Sequence, residues 1–315
     1  MNDKTIFTFW EPKGMMVPYL QLCMRTWEKN LPDYEVVVLD HSNLGDYIPE
    51  GTLDLSALKR MRLPLQKDAI LVAVLLEHGG IFMDVDTLAL RDIAPVVARL
   101  KHTEMVMFSE HLAFVAARPG ARILTLWIKG VQERLAQLAD GRVAADGLRW
   151  DYAGNSVLTE VLEGMIGSLG FDRLTGIRIM DRCIQTCQGL LRGKGQRAER
   201  LAWRLRQASR TLIAKRRGLV FRTVCKKYLL MLRRNRYGYI PEAMRFKTKW
   251  MRPEDKYTKF WFESDMDVDQ VFHPNQMLIG LHHSWTPEWY KRLSQQDVLE
   301  HPCLLSRTLR HILDA

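Results

Sequence analysis

The chain has 315 residues, of which 47% are hydrophobic and 26% charged, and its formal net charge is +10. This composition is typical of a folded globular protein of about two domains and excludes a wholly disordered chain. The longest apolar run, Ala69 to Leu76, has eight residues, which is far short of the ~20 that a membrane-spanning helix needs. No secretory signal is recognised at the N-terminus, and five scattered cysteines favour reduced thiols in a cytosol.

Strand-like and helix-like segments alternate over the first 140 residues. Short β-branched and aromatic runs predict strands at 5–10, 34–39, 81–83, 104–108 and 112–117. Apolar periodicity predicts helices at 20–27, 68–77 and 121–138, and Gly79-Gly80 supplies the end of the second helix. This alternation predicts an α/β fold with a mostly parallel sheet flanked by helices, in which ligands bind at the carboxyl ends of strands.

Positive charge is concentrated in residues 190–236. This segment contains sixteen Lys or Arg residues and one acidic residue, Glu199, so it carries +15 and the other 268 residues carry −5. Six apolar residues recur on a helical period within it: Phe221, Val224, Cys225, Tyr228, Leu229 and Leu232. A basic amphipathic helix suggests an anionic membrane surface, an anionic partner or nucleic acid. A helix packed on its own domain with a solvated basic face is the alternative.

Two aspartates, Asp84 and Asp86, directly follow the buried strand at 81–83. If this segment is extended, its alternate side chains point to the same side, so both carboxylates project together. Buried carboxylates need a partner, and a hard divalent cation, Mn²⁺ or Mg²⁺, is the natural one. Such a cation makes a bound diphosphate a better leaving group. The pattern therefore predicts metal–diphosphate chemistry, with Asp84 and Asp86 as its catalytic residues.

The run from Asp68 to Asp86 resembles the signature of DXD-type glycosyltransferases with the GT-A fold. It is most similar to the capsular-polysaccharide-synthesis transferases, and to the related initiating mannosyltransferases of fungi and glucosyltransferase domains of clostridial toxins. The likeness covers about 1–155 and 270–290. It implies a Rossmann-like GT-A domain and a retaining transfer of sugar from a nucleotide-diphosphate donor, with a UDP-sugar favoured.

The resemblance also implies roles for single residues. The donor-binding set is Trp10, Asp68, Asp84, Gly154, Asn155, Ser284 and Trp285. The metal-binding set is Asp84, Asp86, His282 and His283, of which at most one histidine faces the site if that segment is extended. Lys67-Asp68-Ala69-Ile70-Leu71 departs from the Ser-Asp-x-x-Arg of the family. Asp68 is therefore carried over as a donor-binding residue, whereas Leu71 stands where the arginine would be.

These observations predict a catalytic domain formed by 1–160 and 265–315, with a mostly helical insertion at 161–264. We expect a metal-dependent glycosyltransferase that acts on a bacterial surface glycan, such as capsule or lipopolysaccharide, or on a lipid-linked acceptor. Segment 190–236 would hold it on the inner face of the cell membrane as a cytoplasmic, peripheral protein. A toxin-like protein glycosyltransferase is the alternative. Nucleic-acid binding is disfavoured, because no such motif accompanies the basic segment.

Overall fold

The computed structural model describes residues 4–108, 111–167, 257–272 and 276–314. The strands are β1 (Thr5–Phe9), β2 (Glu35–Leu39), β3 (Gly80–Met83), β4 (Thr87–Ala89), β5 (Met105–Phe108), β6 (His111–Ala117) and β7 (Leu278–Gly280). The helices of the first half are α1 (Pro18–Asn30), α2 (Leu44–Tyr47), α3 (Leu55–Lys59), α4 (Leu63–His78), α5 (Ala94–Val97), α6 (Arg122–Ala139) and α7 (Asn155–Gly167). Three further helices follow near the C-terminus: α8 (Glu288–Lys291), α9 (Gln295–Glu300) and α10 (Leu304–Asp314).

Five strands form the central sheet in the order β2-β1-β3-β6-β5. Strand β1 pairs in parallel with β2 and β3, whereas β6 pairs antiparallel with β3 and β5. Four of the strands therefore run in one direction and β6 runs against them. This arrangement confirms the predicted α/β fold with a mostly parallel sheet flanked by helices.

Helices cover both faces of this sheet. On one face, Ile6 and Ile81 pack with Trp27 of α1 in one apolar cluster. On the other face, the Phe7 and His78 rings lie 5.9 Å apart between centroids, and His78 is the last residue of α4. Neighbouring strand residues point to opposite faces, so each face buries its own set of side chains.

Helix α4 positions the residues that precede the DXD segment, and it begins five residues before the predicted start at 68. Pro64 stands in its first turn, a position where proline costs no hydrogen bond. Gly79 ends the helix with φ +66°, and a Cβ there would lie 2.7 Å from the Pro119 backbone nitrogen. Only glycine therefore fits between α4 and β3.

A second sheet joins two distant parts of the chain. Strand β4, which follows Asp86, pairs antiparallel with β7, with Thr87 opposite Gly280. Helix α1 supports β4, because the Trp27 indole donates to the Thr87 carbonyl at 2.6 Å. The sequence did not predict this pairing. It places residues 278–285, the C-terminal segment, beside the aspartates.

The chain divides into two units, residues 1–158 with 237–315, and residues 159–236. Residues 257–264, which the sequence interpretation assigned to the insertion, pack in the first unit, where Tyr257 and Trp261 are fully buried. The basic segment 190–236 lies outside the described residues. Within the described ranges, every helix is too short or too polar to span a lipid bilayer.

Candidate donor-binding site

Asp84 and Asp86 lie in a turn at the carboxyl end of β3. The Asp84 amide donates to the Ala113 carbonyl at 2.9 Å, and the Thr87 amide donates back to the Asp84 carbonyl at 3.1 Å. Val85 is buried and anchors the turn. The expectation of an extended segment was therefore wrong, because the Thr87 amide closes a turn onto the Asp84 carbonyl. The two aspartates nevertheless belong to one short turn and stand two residues apart.

The environment of Asp86 concentrates negative charge. Burial, together with the neighbouring Asp84 carboxylate, raises the pKa of Asp86 to about 7. Two backbone amides hold this residue: the His283 amide donates to its carboxylate at 2.8 Å, and the Leu281 amide donates to its carbonyl at 2.8 Å. A cation beside the pair would relieve this charge.

His282 and His283 belong to the C-terminal segment that closes on Asp86. The His283 ring stacks on Tyr19, with Nδ1 at 2.7 Å from the tyrosine hydroxyl. Burial lowers the pKa of His283 to about 4, so its ring is neutral near pH 7. The His282 ring packs against Trp285 at 4.1 Å between ring centroids, and its backbone amide donates to the Tyr257 hydroxyl at 3.2 Å.

The four predicted metal ligands are not assembled as a set. No three His, Cys, Asp or Glu side chains converge as a cation site within the described ranges. Asp84 and Asp86 are the two acidic members that the structure brings together. His283 contacts Asp86 through the His283 backbone amide. Metal ligation by the imidazole of His282 or His283 stays a prediction.

Lys67 is a central residue that the sequence interpretation missed. Its ammonium lies 2.9 Å from an Asp68 oxygen and 3.0 Å from an Asp84 oxygen, and its side chain is 16% exposed. Through these two ion pairs, Lys67 links the predicted donor-binding residue Asp68 to the turn Asp84-Val85-Asp86, called here the DXD turn. Leu71, one helical turn further along α4, is fully buried and supplies no polar group.

Gly154 lies directly against Asp68, so the structure brings two predicted donor-binding residues together. A Cβ at Gly154 would overlap the Asp68 carboxylate and lie 2.8 Å from Leu112 Cδ1. The Gly154 amide donates to the Asp151 carbonyl at 3.2 Å, and Arg149 forms a two-pronged pair with the Asp151 carboxylate at 3.1 and 2.9 Å. Asn155 follows as the half-buried first residue of α7.

Trp10 continues directly from β1 and reaches the C-terminal segment. Its ring meets His283 edge-on, with 5.1 Å between centroids, and the residue is half-buried. Ser284 is exposed and Trp285 half-buried on the short helical turn His283–Trp285. Through His283, Trp10 is therefore linked to Asp86.

Residues 18–104 match the family model described as a glycosyltransferase sugar-binding region containing a DXD motif. The matched range includes Lys67, Asp68, Asp84 and Asp86. A solved structure, the PaToxG glycosyltransferase, is similar at 16% identity over 73% of this chain and 87% of that chain, with a TM-score of 0.34. No curated protein matches the chain. The family match supports the predicted class of glycosyltransferase acting on a nucleotide sugar.

Proposed function

We propose that the protein transfers a sugar from a nucleoside-diphosphate donor bound between Trp10, Asp68 and the DXD turn. The observation that carries this proposal is the position of Asp84 and Asp86. Strands β1 and β3 are parallel neighbours, so Trp10 and Asp84 leave the sheet at the same edge. The carboxyl edge of parallel strands is where α/β proteins bind their ligands.

The donor would contact this edge through three kinds of group. The half-buried Trp10 ring offers a face for the nucleobase. Asp68 offers carboxylate oxygens to sugar hydroxyls, and Gly154 keeps the space beside that carboxylate clear. Asp84 and Asp86 would hold the diphosphate through a divalent cation.

The two aspartates fit Mn²⁺ or Mg²⁺ by the chemistry of their donor atoms. Carboxylate oxygens are ligands that both cations prefer, and both cations commonly take their remaining ligands from substrate phosphates. When bound, the cation stabilises the charge that develops on the departing diphosphate. The protein contributes by fixing the Asp86 carboxylate with the His283 amide.

The finer assignments go beyond the family match. We propose a UDP-sugar as donor, retention of configuration, and a bacterial surface glycan or lipid-linked molecule as acceptor. No carboxylate is assigned as nucleophile or base. The departing phosphate itself would then assist the reaction.

Hydrolysis of nucleotide sugars tests the proposed function without knowledge of the acceptor. Each common nucleotide sugar is incubated with the full chain and Mn²⁺, and nucleoside diphosphate release is measured by chromatography, with a chelator as control. We expect release from one donor class, lost on chelation. Equal release with the chelator present, or no binding of any nucleotide sugar, would contradict the proposal.

Replacing Trp10 with alanine is expected to weaken nucleotide binding by ~1–3 kcal/mol, the usual contribution of base stacking on an aromatic ring. The effect should include free nucleoside diphosphate that lacks the sugar, measured by calorimetry in Mn²⁺. Trp289→Ala is the matched control, because Trp289 is 46% exposed and packs on Tyr290 and His301. An unchanged dissociation constant in Trp10→Ala would assign the ring to the core alone.

We also propose that segment 190–236, outside the described residues, docks the enzyme on an anionic membrane surface. Each Lys or Arg near such a surface contributes ~1 kcal/mol, and the apolar stripe adds burial at the headgroup boundary. Docking would keep the active site near a lipid-linked acceptor on the inner face of the membrane. The charge and periodicity of the sequence support this proposal.

Sedimentation with liposomes tests the docking. Binding should require anionic lipid, weaken as salt rises, and fall sharply when Lys215, Arg216, Arg217, Lys226 and Lys227 are neutralised together. Replacing the same number of basic residues outside 190–236 should leave binding unchanged. Equal partition onto neutral vesicles, or none onto anionic ones, would reject the docking while leaving the proposed transfer reaction untouched.

A further inference from the structure

Lys67 stands between two of the carboxylates that the proposed function uses. Its ammonium contacts Asp68 at 2.9 Å and Asp84 at 3.0 Å, and only 16% of its side chain is exposed. Asp86 belongs to the same turn as Asp84, which the Thr87 amide closes onto the Asp84 carbonyl at 3.1 Å. Asp68 and Asp84 therefore share one ammonium group, and Asp86 stands two residues beyond Asp84.

This arrangement has a consequence for cation binding. Lys67 contacts one of the two Asp84 oxygens that could ligate a cation. The ammonium also offsets part of the negative charge that would attract the cation. A divalent cation entering alone must compete with Lys67. A diphosphate that binds together with the cation removes this competition. Its negative oxygens can contact the Lys67 ammonium and the cation at the same time.

We propose that Lys67 is a positioning residue that offsets the negative charge of Asp68 and Asp84 in the free protein. It thereby makes cation binding depend on the nucleotide. This inference rests on the proposed function, since it assumes a cation at the DXD turn. It predicts positive coupling between the cation and the nucleoside diphosphate, each raising the affinity of the other by the same factor.

Binding of Mn²⁺ to the full chain, followed by the paramagnetic resonance signal of the free ion, tests the inference. We expect Lys67→Met to bind Mn²⁺ alone at least about fivefold more tightly than the wild type, the lower end of typical coupling factors. Lys67→Arg keeps the charge and should remain near the wild type. Lys4→Met is the matched control, since it removes an exposed lysine paired with Asp33 at 3.5 Å.

The same titrations with uridine diphosphate measure the coupling. The nucleotide should raise Mn²⁺ affinity strongly in the wild type and much less in Lys67→Met. If Lys67→Met is poorly folded, Lys67→Gln is used, and the Mn²⁺-induced rise in melting temperature replaces the titration, because tighter binding gives a larger rise.

The outcomes separate this inference from the proposed function. Equal or weaker Mn²⁺ binding by the uncharged Lys67 variants would overturn the role of Lys67, even if the wild type binds Mn²⁺ with uridine diphosphate. Failure of the wild type to bind Mn²⁺ with any nucleoside diphosphate would overturn the proposed function itself.

Discussion

Replacing Asp86 with asparagine is expected to reduce donor hydrolysis at least about a hundredfold while leaving the melting temperature nearly unchanged. Asparagine has the same shape, and its amide oxygen still accepts the bond that the His283 amide donates at 2.8 Å. It lacks the charge that holds a cation. Cation stabilisation of a leaving group contributes several kcal/mol, and each 1.36 kcal/mol is about a tenfold change in rate.

Asp33→Asn provides the control, because this carboxylate is 78% exposed and pairs only loosely with Lys4 at 3.5 Å. Both variants are compared by nucleoside diphosphate release and by thermal unfolding. Turnover of Asp86→Asn within about tenfold of the wild type would contradict the assignment of Asp86. A large fall in melting temperature would instead make it a structural residue.

Replacing Gly154 with alanine is expected to damage the site by a steric route. The added methyl group would overlap the Asp68 carboxylate and lie 2.8 Å from Leu112 Cδ1. The Asp68 carboxylate must then leave its present position, so donor binding should be lost. The forced shift should also lower the free energy of unfolding by ~1–3 kcal/mol, the usual cost of overpacking a buried position.

Urea denaturation and calorimetric titration with nucleotide sugar measure the two effects of Gly154→Ala separately. Gly147→Ala is the matched control, since a Cβ at Gly147 meets nothing within 4 Å. We expect that variant to fold and bind as the wild type does. Unchanged donor affinity in Gly154→Ala would show that the contact between Gly154 and Asp68 has no part in the site.

The sequence predicts the frame of the site well, because that frame follows from local patterns. The apolar run 69–76, the Gly79-Gly80 pair and the short strand at 81–83 lie within one continuous segment. Their order alone places Asp84 at a strand end, and β3 (Gly80–Met83) confirms it. The sequence placed the start of α4 at 68, whereas the helix begins at Leu63. Pro64 was a local signal for this earlier start, because proline is favoured in the first turn of a helix.

The contacts that complete the site depend on residues far apart in the sequence. His283 donates to Asp86 across 197 positions, and Tyr19 meets His283 across 264. The hydrophobic periodicity of the sequence cannot predict contacts between residues so far apart. The short β4–β7 sheet brings these residues together. Lys67 was missed for a different reason. It stands just before the predicted helix start at 68, where a lysine is usually solvated, and its contact with Asp84 at 3.0 Å depends on the tertiary fold.

Anomalous diffraction from a crystal of the full chain grown with Mn²⁺ and uridine diphosphate would locate the cation and the nucleotide. We expect one Mn²⁺ peak bound by carboxylate oxygens of Asp84 or Asp86 and by diphosphate oxygens, with the uracil ring beside Trp10. A Mn²⁺ peak away from both aspartates, or a nucleotide bound elsewhere on the protein, would contradict the proposed function.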